Sequence, residues 1–259
     1  MLPQPGTPVP STPISESLTR RAVARAVAGR EATYAEELQR IVDAAYRVIE
    51  RTGTVDPTLR DILRESGLST QAFYRYFDSK DELLLVLLDQ GGRRLVGYLS
   101  HRMDQASGRA EGAAAEGAAA GRAEGAAAGR AEGAAAGWAA GAVSQAQARI
   151  RAWIEGVLAQ ASDAGAGRTR PFVANEARLA EQFPAEQQDS VDLLTALLVP
   201  SITELNGHRR ADARRDADAV YHLAFGALRR HLTRGTQPTR AEVDHLARFA
   251  LSGIGRRGA

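Results

Sequence analysis

Residues Thr58–Lys80 read TLRDILRESGLSTQAFYRYFDSK, and this stretch decides the fold. Thr58 is an N-cap residue type, and Asp61 stands three residues on, the spacing of a capping box. Leu59, Ile62 and Leu63 give the short helix that follows one apolar side. Gly67 supplies the positive φ that ends it. Leu68 plugs the corner and Ser69 caps a second short helix. That helix buries Phe73 and Phe77, four residues apart, and leaves Thr70, Gln71, Tyr74 and Tyr76 to point outward. Ser79-Lys80-Asp81-Glu82 then opens a third helix with another capping box, placing Lys80 in its first turn.

Two short helices joined by a tight glycine turn form a helix-turn-helix unit, whose second helix fits the major groove of duplex DNA. The side chains suit that task. Thr70 and Gln71 lie in the first turn of the second helix, the end that meets base edges. A glutamine amide pairs with adenine in bidentate fashion, and threonine offers a hydroxyl and a methyl. Tyr74 and Tyr76 carry hydroxyls suited to phosphate oxygens, and Arg60 reaches a base edge or a phosphate. Ser69 is counted with this DNA-facing set. Lys80 at a helix N-terminus makes a phosphate clamp. It is the sole lysine among 33 basic side chains, the rest being arginine. Taken alone, the same pattern also describes an αα corner whose tyrosines pack. Residues 36–53, EELQRIVDAAYRVIERTG, supply the missing first helix, with Leu38, Ile41, Val42, Ala45, Val48 and Ile49 on one side and Gly53 as its stop.

The runs IVDAAYRVIERTG and PTLRDILRESGLSTQAFYRYFDSKDELL resemble the TetR family of bacterial transcriptional regulators. The resemblance is strong over residues 36–88 and weaker, in layout, over 148–254. It implies base or groove contacts from Arg60, Thr70, Gln71 and Ala72, and phosphate contacts from Thr58, Tyr74, Tyr76 and Lys80. Leu63 departs from the family's usual alanine. Ala72 departs from a common threonine or serine, so a contact there is apolar, to a thymine methyl.

The expected fold class is all-α: an N-terminal three-helix helix-turn-helix domain at 36–82, then a helical-bundle regulatory and dimerisation domain at 83–259. Residues 1–35 read as a flexible basic arm, with Arg20, Arg21, Arg25 and Arg30 available for phosphate or minor-groove contact. The bland alternative for this segment is a disordered tail or extra helix turns with a solvated arginine face. Residues 109–141 form a low-complexity insertion in which copies or near-copies of RAEGAAAG start at Arg109, Arg122 and Arg130. Glycine there costs about 1 kcal/mol per helical position, and few large apolar side chains compensate. A surface excursion is expected.

In the C-terminal part, helical periodicity runs over 80–103, 148–160, 171–182, 185–205, 212–233 and 239–252, with Pro200 kinking its segment. Trp153, Phe172, Phe183 and Leu198 are the candidate walls of an effector pocket, an ordinary core being the competing reading for each. The last two helices, with Ala219, Val220, Leu223, Ala224, Ala227 and Leu228 and then Val243, Leu246, Ala247, Ala250 and Leu251, are expected to form a homodimer's four-helix bundle. A twofold dimer reads two half-sites of a palindrome.

Composition excludes several classes. The chain has 259 residues, no cysteine and a formal charge of +2, so thiolate chemistry and disulfides are absent. No run of 18 apolar residues suggests a membrane span, and no secretory signal precedes the domain. A cytoplasmic location follows as an expectation. No HExxH, phosphate loop or G-x-S-x-G elbow is present. The five histidines lack metal-ligand spacing, and His222 and His231 are expected at the surface or an interface. No catalytic residue, cofactor or metal is expected. The sequence thus reads as a regulator, most readily a repressor, of a double-stranded DNA operator, answering to an unknown small-molecule effector. The alternatives are a helical small-molecule carrier or scaffold whose N-terminal unit makes only protein contacts, and, without support, a helical-bundle enzyme.

Overall fold

The computed structural model describes residues 14–124, 132–162, 170–206 and 210–255, all as helices and their connections. Eleven helices occur among these residues. The head contains α1 (Ile14–Thr52), α2 (Leu59–Ser66) and α3 (Thr70–Phe73). The long α4 (Lys80–Glu124) leaves it and pairs with α5 (Glu132–Ala159). Four shorter helices follow: α6 (Arg170–Ala174), α7 (Glu176–Gln182), α8 (Pro184–Ala196) and α9 (Val199–Asn206). Finally α10 (Arg210–Arg234) and α11 (Arg240–Gly255) cover the body.

Two apolar cores organise the chain. The head core joins Ile41, Tyr46 and Ile49 of α1 to Ile62, Phe73, Phe77 and the first turns of α4. The body core joins Leu95, Leu99 and Met103 of α4 to Ile150, Trp153 and Ile154 of α5 and to α8–α11. One helix therefore serves both cores, and Leu83, Leu84, Leu87 and Leu88 still belong to the head. The head core also takes in Phe172, Leu179 and Phe183 from the segment between α5 and α8. Tyr46, fully buried, donates its hydroxyl to the Leu87 carbonyl at 2.8 Å and ties α1 to α4. Along α5, Gly156 lets α4 come close: a Cβ there would stand 2.6 Å from Leu99 Cδ2. The α8–α9 break falls just before Pro200, which lacks the N–H that would continue the ladder. The Leu198 N–H turns instead to the Thr195 carbonyl at 2.9 Å.

Several expectations need correction. The arm proposed for 1–35 is helix from Ile14 onward, continuous with the first head helix. Alanine and arginine favour helix, and no proline interrupts between Pro13 and Pro57. The repeat is also helical as far as Glu124 and again from Glu132, so the glycine penalties do not stop helix there. Residues 1–13 and 125–131 lie outside the described residues, as do the side chains of 14–32, including the four arginines, and of 113–140. Leu38, assigned to the apolar side of the first helix, is exposed. On α10, Val220, Ala224, Ala227 and Leu228 face the chain's own core rather than outward, as do Ala247 and Ala250 of α11. His231 is buried: its Nδ1 lies 2.9 Å from Thr236 Oγ1 and its Nε2 3.0 Å from Glu242. That histidine joins α10 to α11.

Candidate nucleic-acid interface and the family

The turn forms as its residue types dictate. Thr58 Oγ1 accepts the Asp61 N–H at 3.1 Å and donates to Asp61 Oδ2 at 2.6 Å, closing the cap of α2. Gly67 takes φ 67° and ψ 21°, and its N–H reaches the Leu63 carbonyl at 3.0 Å. Arg40 of α1 braces the same corner by donating to the Ser66 carbonyl at 2.9 Å. Ser69 Oγ accepts the Ala72 N–H at 3.1 Å, so this serine serves as the cap of α3. The regular part of α3 is one turn, continued by the turn bonds of Tyr74, Arg75 and Tyr76.

Phe73 and Phe77 are buried, which rotates the opposite side of this corner outward. Arg60, Thr70, Gln71 and Tyr74 are all exposed, and Tyr74 keeps 55 % of its surface in solvent. Ala72 behaves differently: it is 6 % exposed and packs inward, so the groove contact expected of it is corrected. Its register, one residue from Phe73, places its methyl at the inner edge of the helix.

Three residues expected to meet phosphate are engaged within the chain. Thr58 holds Asp61, as above. The Tyr76 hydroxyl donates to Glu37 Oε2 at 2.7 Å. Partial burial and the Glu37 carboxylate push that phenol above its usual range, so it stays a donor. Arg75, a residue that sequence reasoning passed over, joins the same group. It pairs with Glu37 at 3.0 Å and lies 5.9 Å from the ring centroids of both Tyr34 and Tyr76. Lys80 pairs with Asp56 in the bend before α2, and Arg178 of α7 reaches the other oxygen of Asp56 at 2.5 Å. These cations hold the Asp56 carboxyl below the usual carboxylate range, Lys80 contributing most.

Among the four expected pocket walls, Phe172 alone lines the apolar cleft between α4 and α6–α8. Trp153 and Leu198 are fully buried in the body core, and Phe183 packs into the head core. Their size and lack of polar anchors made them core rather than wall. The cleft instead owes its space to Gly91 and Gly92, where α4 presents no side chain to Phe172 and Ser190. Glu176 stands at its edge and accepts the Tyr221 hydroxyl at 2.8 Å, with Arg229 at 3.3 Å. Burial pushes the Tyr221 phenol strongly up, so it remains the donor. Among the described residues no group of three His, Asp or Glu side chains could hold a metal ion, and no helix is long and apolar enough to cross a membrane.

Residues 41–87 match the family model described as bacterial regulatory proteins, tetR family. The chain is similar to the HTH-type transcriptional regulator BetI of Brucella anthropi, 35 % identical over 71 residues, which cover 27 % of this chain and 34 % of that protein. It is 47 % identical over 45 residues to BetI of Agrobacterium fabrum, covering 17 % and 22 % of the two chains. It is 31 % identical over 74 residues to the uncharacterized HTH-type transcriptional regulator YvdT of Bacillus subtilis, covering 29 % and 34 %. The matched span is thus about a third or less of each of these relatives. Over residues 41–87 the chain carries the helix-turn-helix domain of the TetR family of bacterial regulatory proteins.

Proposed function

We propose that this chain is a repressor that binds a palindromic double-stranded DNA operator as a homodimer and releases it on binding a small-molecule effector. The observation that carries the reading is the outward ledge of Arg60, Thr70, Gln71 and Tyr74 on a buried Phe73–Phe77 base. Gln71 and Thr70 read base edges, while Tyr74 and Arg60 contact the backbone or groove edge. Ser69 and Thr58 act one step back, by fixing the helix starts. A cytoplasmic location accords with this role.

Dimerisation uses the outer faces of α10 and α11. Phe249 is 62 % exposed there, and Ala219 and His222 are exposed on the neighbouring helix. A large apolar side chain so exposed suits a self-complementary interface. The effector enters the α4/α6–α8 cleft. The cleft encloses about 50 Å³, far below the roughly 300 Å³ of even a small ligand pocket. An effector must therefore part α4 from α6–α8, and this gives it different affinities for the two arrangements, as coupling demands.

One observation favours the carrier or scaffold reading: Tyr76 and Lys80 are both engaged inside the chain. The substitution Gln71→Ala separates the two. Against a duplex selected from a random pool, the regulator reading predicts a large loss of affinity with unchanged folding. A Gln71→Ala variant that binds the selected duplex as the parent does would count against it.

A further inference from the structure

Asp56 sits in the bend between α1 and α2, and its carboxylate is shared. One oxygen accepts from Lys80 at the start of α4, the other from Arg178 of α7 at 2.5 Å. The two cations belong to different parts of the chain: Lys80 opens the helix that leaves the head, and Arg178 rides on the segment 170–182, which bridges the two cores. That segment packs into the head core through Phe172 and Leu179 and makes two further polar contacts with the head. Asn175 Nδ2 donates to the Gly53 carbonyl at 3.4 Å, and Gln182 Nε2 to Asp81 Oδ1 at 3.3 Å. Its other side forms the wall of the cleft through Phe172, Val173 and Glu176. A displacement of that wall is therefore a displacement of Arg178.

We propose that Asp56 is a positioning residue that divides Lys80 between the protein and a DNA phosphate, and that Arg178 sets the division. The proposal rests on the DNA-binding reading and deepens its regulation. A carboxylate opposite Lys80 opposes phosphate binding twice: it neutralises the ammonium group, and its own charge repels the phosphate. Arg178 on the second oxygen cancels much of that opposition. With Arg178 seated, Lys80 turns to the phosphate at small cost, because Asp56 keeps a cation. When α7 withdraws, Asp56 is left with Lys80 alone and holds it. Opening the cleft thus weakens the grip on DNA through a named ion triad, besides any movement of α4.

The test is a double-substitution cycle on the full chain, read as affinity for a short random-sequence duplex across a salt series. Phosphate contacts are independent of sequence, so no operator is needed. Asp56→Asn is expected to bind several-fold tighter than the parent, and Arg178→Gln several-fold weaker. In the Asp56→Asn background, Arg178→Gln is expected to lose most of its effect, since no carboxylate remains for it to offset. Thermal unfolding of each variant accompanies the titrations, and Asp56→Ser replaces Asp56→Asn if the latter is unfolded. Additive effects of the two substitutions, or weaker binding by a folded Asp56→Asn protein, would overturn the proposal. Absence of salt-dependent binding by every form, the parent included, would instead overturn the DNA-binding reading on which it rests.

Discussion

Tyr76 donates its hydroxyl to Glu37 at 2.7 Å, and so the reading corner is fastened to the helix that begins the head. Tyr74, two residues earlier, stands 55 % exposed on the opposite side. The two tyrosines therefore separate by role, and Tyr76→Phe and Tyr74→Phe should behave differently. The first removes a part-buried hydrogen bond worth about 1 kcal/mol. It should lower the denaturant midpoint and leave the salt slope of DNA binding nearly unchanged. The second should leave the midpoint alone and weaken binding to a selected duplex. Equal effects of both variants on the midpoint would contradict this division.

Gly67 closes α2 in the left-handed region, at φ 67°. An L side chain there is strained by about 1–2 kcal/mol. Gly67→Ala should lower the unfolding free energy by that order, and calorimetry or denaturant titration would measure it. Gly67→Asn should recover part of the loss, because asparagine tolerates this conformation better.

Gly156 and Gly92 make opposite predictions from the same substitution. A Cβ at Gly156 would meet Leu99 Cδ2 at 2.6 Å. Overpacking of that kind costs about 1–3 kcal/mol. At Gly92 the nearest heavy atom is Ser190 Oγ, at 3.5 Å, an ordinary contact. There alanine should stabilise by about 0.5–1 kcal/mol, through helix propensity. Thermal unfolding of the two variants should shift in opposite directions.

The acid limb of stability should carry a contribution from Asp56. Its carboxyl is held below its ordinary value of 3.8, first by the hydrogen bond from Lys80 and also by Arg178, against partial burial. A depressed carboxylate contributes stability that is fully present above the unfolded value and is lost as pH falls through the folded one. The parent should therefore lose stability relative to Asp56→Asn as pH drops from above 3.8 to below it. The difference between the two unfolding free energies, followed across that window, checks the sign. A difference that grows in favour of the parent toward acid would contradict it.

The head was legible because its signals are local. Thr58, Gly67 and Ser69 act on neighbours within four residues, and Phe73 and Phe77 need only helical spacing to share a face. The candidate site was legible less evenly. Exposure of Thr70, Gln71 and Tyr74 follows from that same spacing. The partners of Tyr76 and Lys80 do not, since Glu37 and Asp56 lie 39 and 24 residues away in sequence. The body was hardest to read. Trp153 and Leu198 look alike as wall or core until the neighbouring helices are placed. The cleft arises from Gly91 and Gly92, whose missing side chains leave space only once Phe172 and Ser190 are placed opposite them. On α10, apolar and small residues surround much of the helix, so periodicity did not choose between the inner face of Val220 and Ala224 and the outer one of Ala219 and His222.

Selection of bound duplexes from a random pool tests the central claim most directly. The account predicts enrichment of a palindrome whose half-sites are one or more helical turns apart, with enrichment lost in Gln71→Ala. A folded protein that enriches no sequence and binds duplex at no salt concentration would contradict it.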